Sequence, residues 1–387
     1  MNHFIPLSVP NLKGNELKYV TEAVTTEWVS TGGPYVTEFE NKIAEYANVK
    51  GAVACQNGTA GIHTALMTVG VEKGDIVIVP TLTFIAAVNP VKYIGAEPVF
   101  MDCDDSLCID PNKLKTFCEK ECEFIDDVLL FKTTKQKVKA IVVVHVFGNM
   151  ADMEKIMQIA RKYNLKVIED ATESIGTYYT EGPLKGKYTG SMGDIGIYSF
   201  NGNKIITTGG GGMLISNNEN YLKLAKHLST QAKSDELNYT HDMIGYNYRM
   251  TNLQAALGLA QLEQLEKFIA AKNANYDKYS ALLKDGQFTL LKFREGIRSN
   301  KWFYALECEN SVQRDKLIAY LSEKKIQTRP IWGLINEQKP YFDSYAYKIE
   351  KAKYYWERVV NIPCSTNITD EEIKAVVDRI LQLTHLD

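Results

Sequence analysis

The sequence predicts an α/β protein with a mainly parallel sheet, joined to a smaller C-terminal α+β part. Three observations carry this. Between about 52 and 228, short apolar runs alternate with segments of helical period, the pattern of a sheet covered on both faces. A long helical stretch at 251–283 carries Leu253, Leu257, Ala260, Leu262, Leu265 and Phe268 on recurring faces and reads as a connector. After it, strands and helices resume in a different order. The expected division is 1–245 and 246–387.

In chain order, the candidate strands of the first part are 52–55, 75–79, 98–101, 140–146, 166–169, 195–200 and 212–215. Helical periods fall between them at 60–69, 84–94, 153–163 and 219–229. Two strands lie close together within 193–215, so part of the sheet can be antiparallel. The stretch 117–138 is polar around an apolar patch and reads as an irregular surface excursion. The second part reads as a strand at 302–308, a helix at 313–324, a turn at Arg329-Pro330, a helix at 349–358 and a last helix at 370–383. Thr369 and Glu372 fit a capping box on that helix.

Composition narrows the function classes. The chain has 387 residues, 45% hydrophobic and 24% charged, enough for an ample core. A formal net charge of −3 gives no reason to expect nucleic acid or an anionic membrane as partner. The lysines of 132–139 read as a solvated loop. Seven cysteines at 55, 103, 108, 118, 122, 308 and 364 form no CxxC pair and have no His at metal-ligand spacing, so no metal is expected. Scattered thiols in odd number suit the cytoplasm. The start of the chain lacks a basic-then-apolar signal pattern, and apolar runs such as 140–144 are far too short to span a bilayer.

Three segments carry chemistry. Tyr198-Ser199-Phe200-Asn201-Gly202-Asn203-Lys204 ends a β-prone run in a small-residue loop, and four glycines, 209–212, follow. A lysine desolvated on such a loop loses basicity and becomes nucleophilic, as a Schiff-base lysine must; a solvated surface cation is the plainer reading. Upstream, Lys166-Val167-Ile168-Glu169-Asp170 delivers an acid at a strand's carboxyl end. That is where doubly wound sheets bind ligands, and an Asp there can keep a pyridinium nitrogen protonated; a helix N-cap is the plainer alternative. Cys55-Gln56-Asn57-Gly58-Thr59-Ala60-Gly61 opens an apolar helix with residues small enough for backbone N–H groups to approach a phosphate. It is neither a P-loop nor a GxGxxG fingerprint. In this order, a phosphate cradle, a strand-end Asp and a loop Lys are the parts that hold the phosphate, ring nitrogen and aldehyde of pyridoxal 5′-phosphate.

On these residues the chain resembles the sugar-nucleotide aminotransferases of the DegT/StrS family, pyridoxal-phosphate-dependent transferases of the aspartate aminotransferase type (fold type I). The matching residues continue through Gly32-Gly33-Pro34-Tyr35-Val36, Thr81-Leu82-Thr83-Phe84, His145-Val146-Phe147-Gly148 and Gly245-Tyr246-Asn247-Tyr248-Arg249-Met250. The likeness runs from about Pro10 to about Leu383.

The resemblance implies roles. Lys204 is expected to form the Schiff base and shuttle protons, and Asp170 to hold the ring-nitrogen proton. Gly58, Thr59 and Ser199 are expected to bind the phosphate. Phe84 would stack on the cofactor ring, with core packing as its alternative. Glu173 stands where the family often carries Gln or His beside the cofactor's phenolic oxygen. A carboxylate there would need a proton or a relay, because like charges repel. Asn247 would reach the phosphate of a neighbouring subunit, which implies a homodimer with composite sites. Arg249 and Arg329 are candidates for substrate, each equally readable as a surface residue. His145 is left outside the catalytic set. Gly210 replaces a family Glu and is expected to widen or neutralise a pocket wall.

The implied reaction is ping-pong transamination from glutamate. The loop variant resembles members that act at C-4 of UDP-4-keto-6-deoxy-N-acetylhexosamines for surface glycans of the bacillosamine or legionaminic acid type. A C-3 aminotransferase acting on a dTDP-3-keto-6-deoxy sugar is one alternative, and a regulatory protein without turnover is another. A sugar dehydratase of the same family would carry His in place of Lys204.

Overall fold

The computed structural model describes residues 3–235, 237–284 and 286–383. Its main sheet runs, in space, Gly51–Cys55, Gly212–Ser216, Ile195–Ser199, Lys166–Asp170, Lys137–Val144, Ile76–Pro80, Glu97–Met101 and Ala346–Tyr347. From Ile195–Ser199 to the last of these the pairing is parallel. Gly212–Ser216 is antiparallel to both its neighbours, as the close pair of strands within 193–215 allowed. The central strands are buried along nearly their whole length. Runs such as Ile141, Val142, Val143 and Val144 suit a sheet covered on both faces.

The covering helices follow their apolar periods. In Met153–Lys162, Met153, Ile156, Ile159 and Ala160 face inward, and the Asp152 side chain caps the helix by accepting from the Lys155 N–H at 3.2 Å. Two further helices, Glu16–Thr25 and Pro34–Ala47, precede the first strand.

Several expected elements differ. The helical reading of 84–94 gives way to a 3₁₀ turn, Ile85–Ala87, and a short helix, Asn89–Tyr93. Pro90 lacks the N–H that a longer helix would need, so it sits in the first turn of a new one. The stretch 117–138 is not irregular. The helix Pro111–Lys120 is followed by a hairpin, Cys122–Ile125 with Val128–Phe131, which pairs with Lys137–Val144 and joins the sheet. Asp126 and Asp127 turn this hairpin at φ 49° and 60°, the geometry a tight two-residue turn demands. The expected long helix 251–283 is two helices, Asn252–Leu262 and Leu265–Leu283. At the break, Glu263 accepts from the Asn15 amide at 2.7 Å and the Tyr19 hydroxyl at 2.6 Å. Arg329-Pro330 is not a free turn but a short strand paired with Asn361 and Val360.

The smaller sheet runs Thr289–Leu290, Tyr304–Glu307, Val359–Ile362 and Arg329–Pro330, all antiparallel. Contacts cross the expected boundary in both directions. Ile5 bridges to Ile326, and the Cys364 N–H donates to the Leu7 carbonyl at 2.8 Å, so the first residues lie with the small sheet. Ala346–Tyr347 extends the large sheet instead. There the buried Asp102 carboxylate receives the N–H groups of Glu350, Lys351 and Ala352 at 2.7–3.0 Å, capping the helix Lys351–Arg358, and the Lys113 ammonium at 2.6 Å. The capping box on Asp370–Leu383 forms as expected: Thr369 N–H to Glu372 at 2.8 Å, and Glu372 N–H to Thr369 at 3.2 Å.

Candidate active site

Sheet register brings the three motifs together. Cys55 pairs with Gly212, Gly212 with Ser199, and Asp170 with Ile197. The carboxyl ends of Gly51–Cys55, Ile195–Ser199 and Lys166–Asp170 therefore share one edge of the sheet. They open onto a cleft of about 340 Å³ that Gly58, Thr59, Phe84, Asp170, Glu173, Ser199 and Lys204 all line.

The phosphate cradle is the start of the helix Gly58–Thr68. The Asn57 side chain caps it, accepting from the Ala60 N–H at 2.8 Å. Gly58 and Thr59 line the cleft in the helix's first turn, where N–H groups have no intrahelical partner and the dipole's positive end lies. A Cβ at Gly58 would lie 3.0 Å from Thr172 Cγ2 and 3.3 Å from Ser199 Cβ, and one at Gly212 would lie 2.7 Å from the Asn57 carbonyl carbon. Both glycines are set by close approach of chain segments. A helix N-terminus, a hydroxyl and no room for larger side chains suit a phosphate.

Lys204 follows the loop that leaves Ser199. Its backbone N–H donates to the Asn201 carbonyl at 3.0 Å. Its side chain is 13% exposed, with Nζ 3.7 Å from Glu173 Oε1 and 4.1 Å from the centroid of the Trp302 ring. Burial lowers its pKa below the usual lysine value, opposed by the Glu173 and Asp170 charges. This is the desolvated lysine that the loop suggested. Asp170 is buried, and burial raises its carboxyl pKa against the pull of Thr172, whose N–H reaches Oδ1 at 3.1 Å, and of Lys204. A cationic ring nitrogen arriving there would favour the carboxylate.

Glu173 is buried as well. Burial raises its pKa to about 7, with Lys204 and the Phe147 N–H opposing. Its Oε2 accepts that N–H at 2.8 Å. Phe147 donates from φ 57°, ψ 18°, a conformation that costs a bulky residue about 1–3 kcal/mol. The next residue, Gly148, has φ 87°, and a Cβ there would lie 1.9 Å from Asn300 Oδ1. Asn300 in turn donates to the Glu173 and Ile175 carbonyls, both at 3.0 Å.

His145 is structural, in keeping with its exclusion from the catalytic set. Its Nδ1 accepts from the Ala151 N–H at 3.2 Å, so Nε2 carries the proton and donates to Glu169 at 2.9 Å. Glu169 also receives the N–H groups of Gly190, Met192 and Gly193. This fully satisfied carboxylate anchors the strand that ends in Asp170.

The remaining expected residues divide between the cleft and other surfaces. Phe84 is 55% exposed at the cleft, so core packing is not its role. Asn247 is exposed and accepts from Arg249 Nε at 3.2 Å. Neither lines this chain's cleft; Arg249 lines a separate polar pocket with Lys226 and Lys233. Arg329 is exposed in its short strand and lies outside the cleft lining. Gly211, not Gly210, lines the cleft, and a Cβ at Gly210 would meet nothing within 4 Å. The expected role of Gly210 in the pocket wall is corrected accordingly.

Sequence reasoning missed the aromatic wall. Trp302, Phe303 and Trp332 come from the smaller part. Trp302 stacks on Phe303 at 3.9 Å and donates from Nε1 to the Asn203 carbonyl at 2.8 Å, and Phe147 packs on Trp332 at 4.9 Å. Behind Trp302, the buried Lys272 ammonium donates to its carbonyl at 2.7 Å. Trp302 and Trp332 stand thirty residues apart in no shared motif, which left no signal beyond their size.

Comparison with known proteins agrees with this geometry. The chain matches the DegT/DnrJ/EryC1/StrS aminotransferase family over residues 10–381. It is 37% identical to the GDP-perosamine synthase of Escherichia coli O157:H7, covering 97% of this chain and 98% of that one. It is 36% identical to the GDP-perosamine synthase of Caulobacter vibrioides, covering 98% of each. A crystal structure of a DegT DnrJ EryC1 StrS aminotransferase from Brucella abortus superposes with a TM-score of 0.87 at 28% identity over 95% of each chain. The chain belongs to the DegT/DnrJ/EryC1/StrS aminotransferase family and is a pyridoxal-phosphate-dependent transaminase of fold type I.

Proposed function

We propose that this enzyme moves an amino group from glutamate to the C-4 carbonyl of a nucleotide-linked 4-keto-6-deoxy sugar, for bacterial surface glycan synthesis. The observation that carries the reading is the convergence of the Gly58–Thr59 cradle, Asp170 and Lys204 on one cleft. Bound pyridoxal phosphate supplies an electron sink for charge that develops on the substrate carbon. The N–H groups of Gly58 and Thr59 and the Ser199 hydroxyl hold the phosphate. The Asp170 carboxylate holds the proton on the ring nitrogen. Lys204 Nζ supplies the amine that anchors the cofactor, then takes and returns the proton at the reacting carbon. Phe84 and the aromatic wall exclude water from that carbon. In this reading residues 1–245 bind the cofactor and 246–387 close the cleft. The enzyme acts in the cytoplasm as a homodimer, with Asn247 and Arg249 serving the neighbour's site and Arg329 meeting substrate.

For the acceptor, the loop Ser199–Lys204 supports a UDP-4-keto-6-deoxy-N-acetylhexosamine. The position of Gly210 outside the cleft lining removes one argument for the acetamido group. The names of the two GDP-perosamine synthases favour a second reading, a GDP-linked keto sugar. The deciding experiment incubates purified enzyme and glutamate with UDP-, GDP- and dTDP-linked keto sugars and identifies amino-sugar products by mass spectrometry. Product from the UDP substrate alone supports the first reading, and product from the GDP substrate alone replaces it with the second. Amination at C-3 of the dTDP sugar would overturn both.

A further inference from the structure

We propose that Glu173 and Lys204 share one proton between Glu173 Oε1 and Lys204 Nζ, so that Glu173 sets the charge of the lysine amine. The inference rests on the assignment of Lys204 as the cofactor-anchoring lysine.

The geometry is specific. Glu173 Oε2 is fixed by the Phe147 N–H at 2.8 Å, which leaves Oε1 turned toward Lys204 Nζ at 3.7 Å. The N–H that fixes it sits in a left-handed turn at Phe147, φ 57°, that ordinary loop residues avoid. The turn is locked by Asn300, whose Oδ1 crowds Gly148 and whose amide holds the Glu173 carbonyl. Nζ also lies over the Trp302 ring, 4.1 Å from its centroid. Two ionisable groups 3.7 Å apart and largely withdrawn from solvent favour the pair with one proton.

The other charged groups nearby are accounted for. Asp170 adds negative charge that raises both groups' affinity for the proton. His145 and Glu169 are closed on each other and on backbone N–H groups. Burial raises the Glu173 pKa and lowers that of Lys204, which draws the two together. The exchange balances: the proton leaves Nζ of the ammonium and binds Oε1, giving a neutral amine and a neutral carboxylic acid. No other reactant is needed. The neutral acid also answers the conflict of a carboxylate in a cofactor pocket.

The test uses Glu173→Gln, whose amide oxygen can still accept from Phe147 but cannot take the proton. The cofactor-free full-length protein is acetylated with acetic anhydride across a pH series, and modification of the Lys204 peptide is read by mass spectrometry. Removing a carboxylate within about 4 Å of a buried ammonium should lower the midpoint of Lys204 reactivity by about 1–3 pH units. An unchanged midpoint overturns the proposal, because a merely structural Glu173 would leave the titration alone. Should Glu173→Gln fail to fold, Glu173→Asp is titrated in the same way. Its shorter carboxyl should give a midpoint that differs from the wild type, and a wild-type midpoint in a folded Glu173→Asp protein counts against the proposal. Borohydride reduction of the loaded wild-type enzyme separates the two claims. If the cofactor is not trapped on Lys204, the anchoring assignment fails, whatever the titration shows.

Discussion

Lys204 concentrates the residue-scale argument. Its amine is buried, and the cations with which it could be exchanged are placed elsewhere: Lys272 lies against backbone carbonyls, and Arg249 lines a different pocket. Replacing Lys204 by Ala should abolish the cofactor's visible absorption as a covalent adduct and lower turnover by about 10²–10⁴-fold or more, the usual contribution of a positioned acid–base group. Spectra and steady-state rates of the purified variant check this, and full activity in Lys204→Ala would remove the lysine from the mechanism. Neighbouring residues were unevenly legible. Asp170 and Ser199 stand at strand ends, where position along the strand already says where the side chain goes. Glu173 was legible as a departure from the family's usual residue, but its partner was not. Phe147 meets it from a separate loop, in a conformation that no residue type signals.

Capping interactions decide how far the elements hold the cleft. Asp102 directly follows the strand Glu97–Met101 of the large sheet and caps Lys351–Arg358, the helix before the strand Val359–Ile362 of the small sheet. Burial raises its pKa, but Lys113 and the three N–H groups outweigh this and hold it below the usual carboxylate value. A carboxylate whose folded pKa is depressed adds stability above its unfolded pKa, near 3.9, and loses it as pH falls through the folded value. Asp102→Ala should therefore destabilise the protein by about 3 kcal/mol at neutral pH, since it leaves the N–H groups of Glu350, Lys351 and Ala352 without their partner and takes one of the two carboxylates from the partly buried Lys113 ammonium, which keeps Glu350 and the Lys348 carbonyl. In urea unfolding the gap between wild type and variant should narrow below pH 4. A constant gap down to pH 3 would rule out the charge as its source. At this scale, helix caps such as Thr369 with Glu372 were readable because both partners lie within one turn. Pro90 should have divided 84–94, and the hairpin at 122–131 was hidden because Asp126-Asp127 is a weaker turn signal than Asn-Gly.

At the scale of the whole molecule, the exposed Asn247 and the half-buried Arg249 lie outside this chain's cleft. If they complete the site of a second copy, Asn247→Ala should be inactive or severely impaired while keeping an intact Lys204. Mixing it with Lys204→Ala under conditions that exchange subunits should restore a minority of wild-type activity, because one site in each mixed dimer has both groups. Sedimentation of a fully active monomer, or no recovery from exchanged mixtures, would refute the composite site.

The sequence by itself determined the chemistry of this protein, because the cradle sits at the start of one helix, the acid at the end of one strand, and the lysine on the short loop that leaves another. Local geometry there follows from a few adjacent residues: Asn57 caps, Gly58 leaves room, and Lys166–Asp170 carries its acid to the sheet's carboxyl edge. Only the tertiary structure decided what surrounds them. Register between distant strands set Cys55 beside Gly212. The fold of the smaller part laid Trp302 over Lys204, and Phe147 and Asn300 turned Glu173 toward it. Such contacts join residues tens to more than a hundred positions apart. Their identity depends on which segments the sheet brings into register, and no short stretch of sequence encodes that.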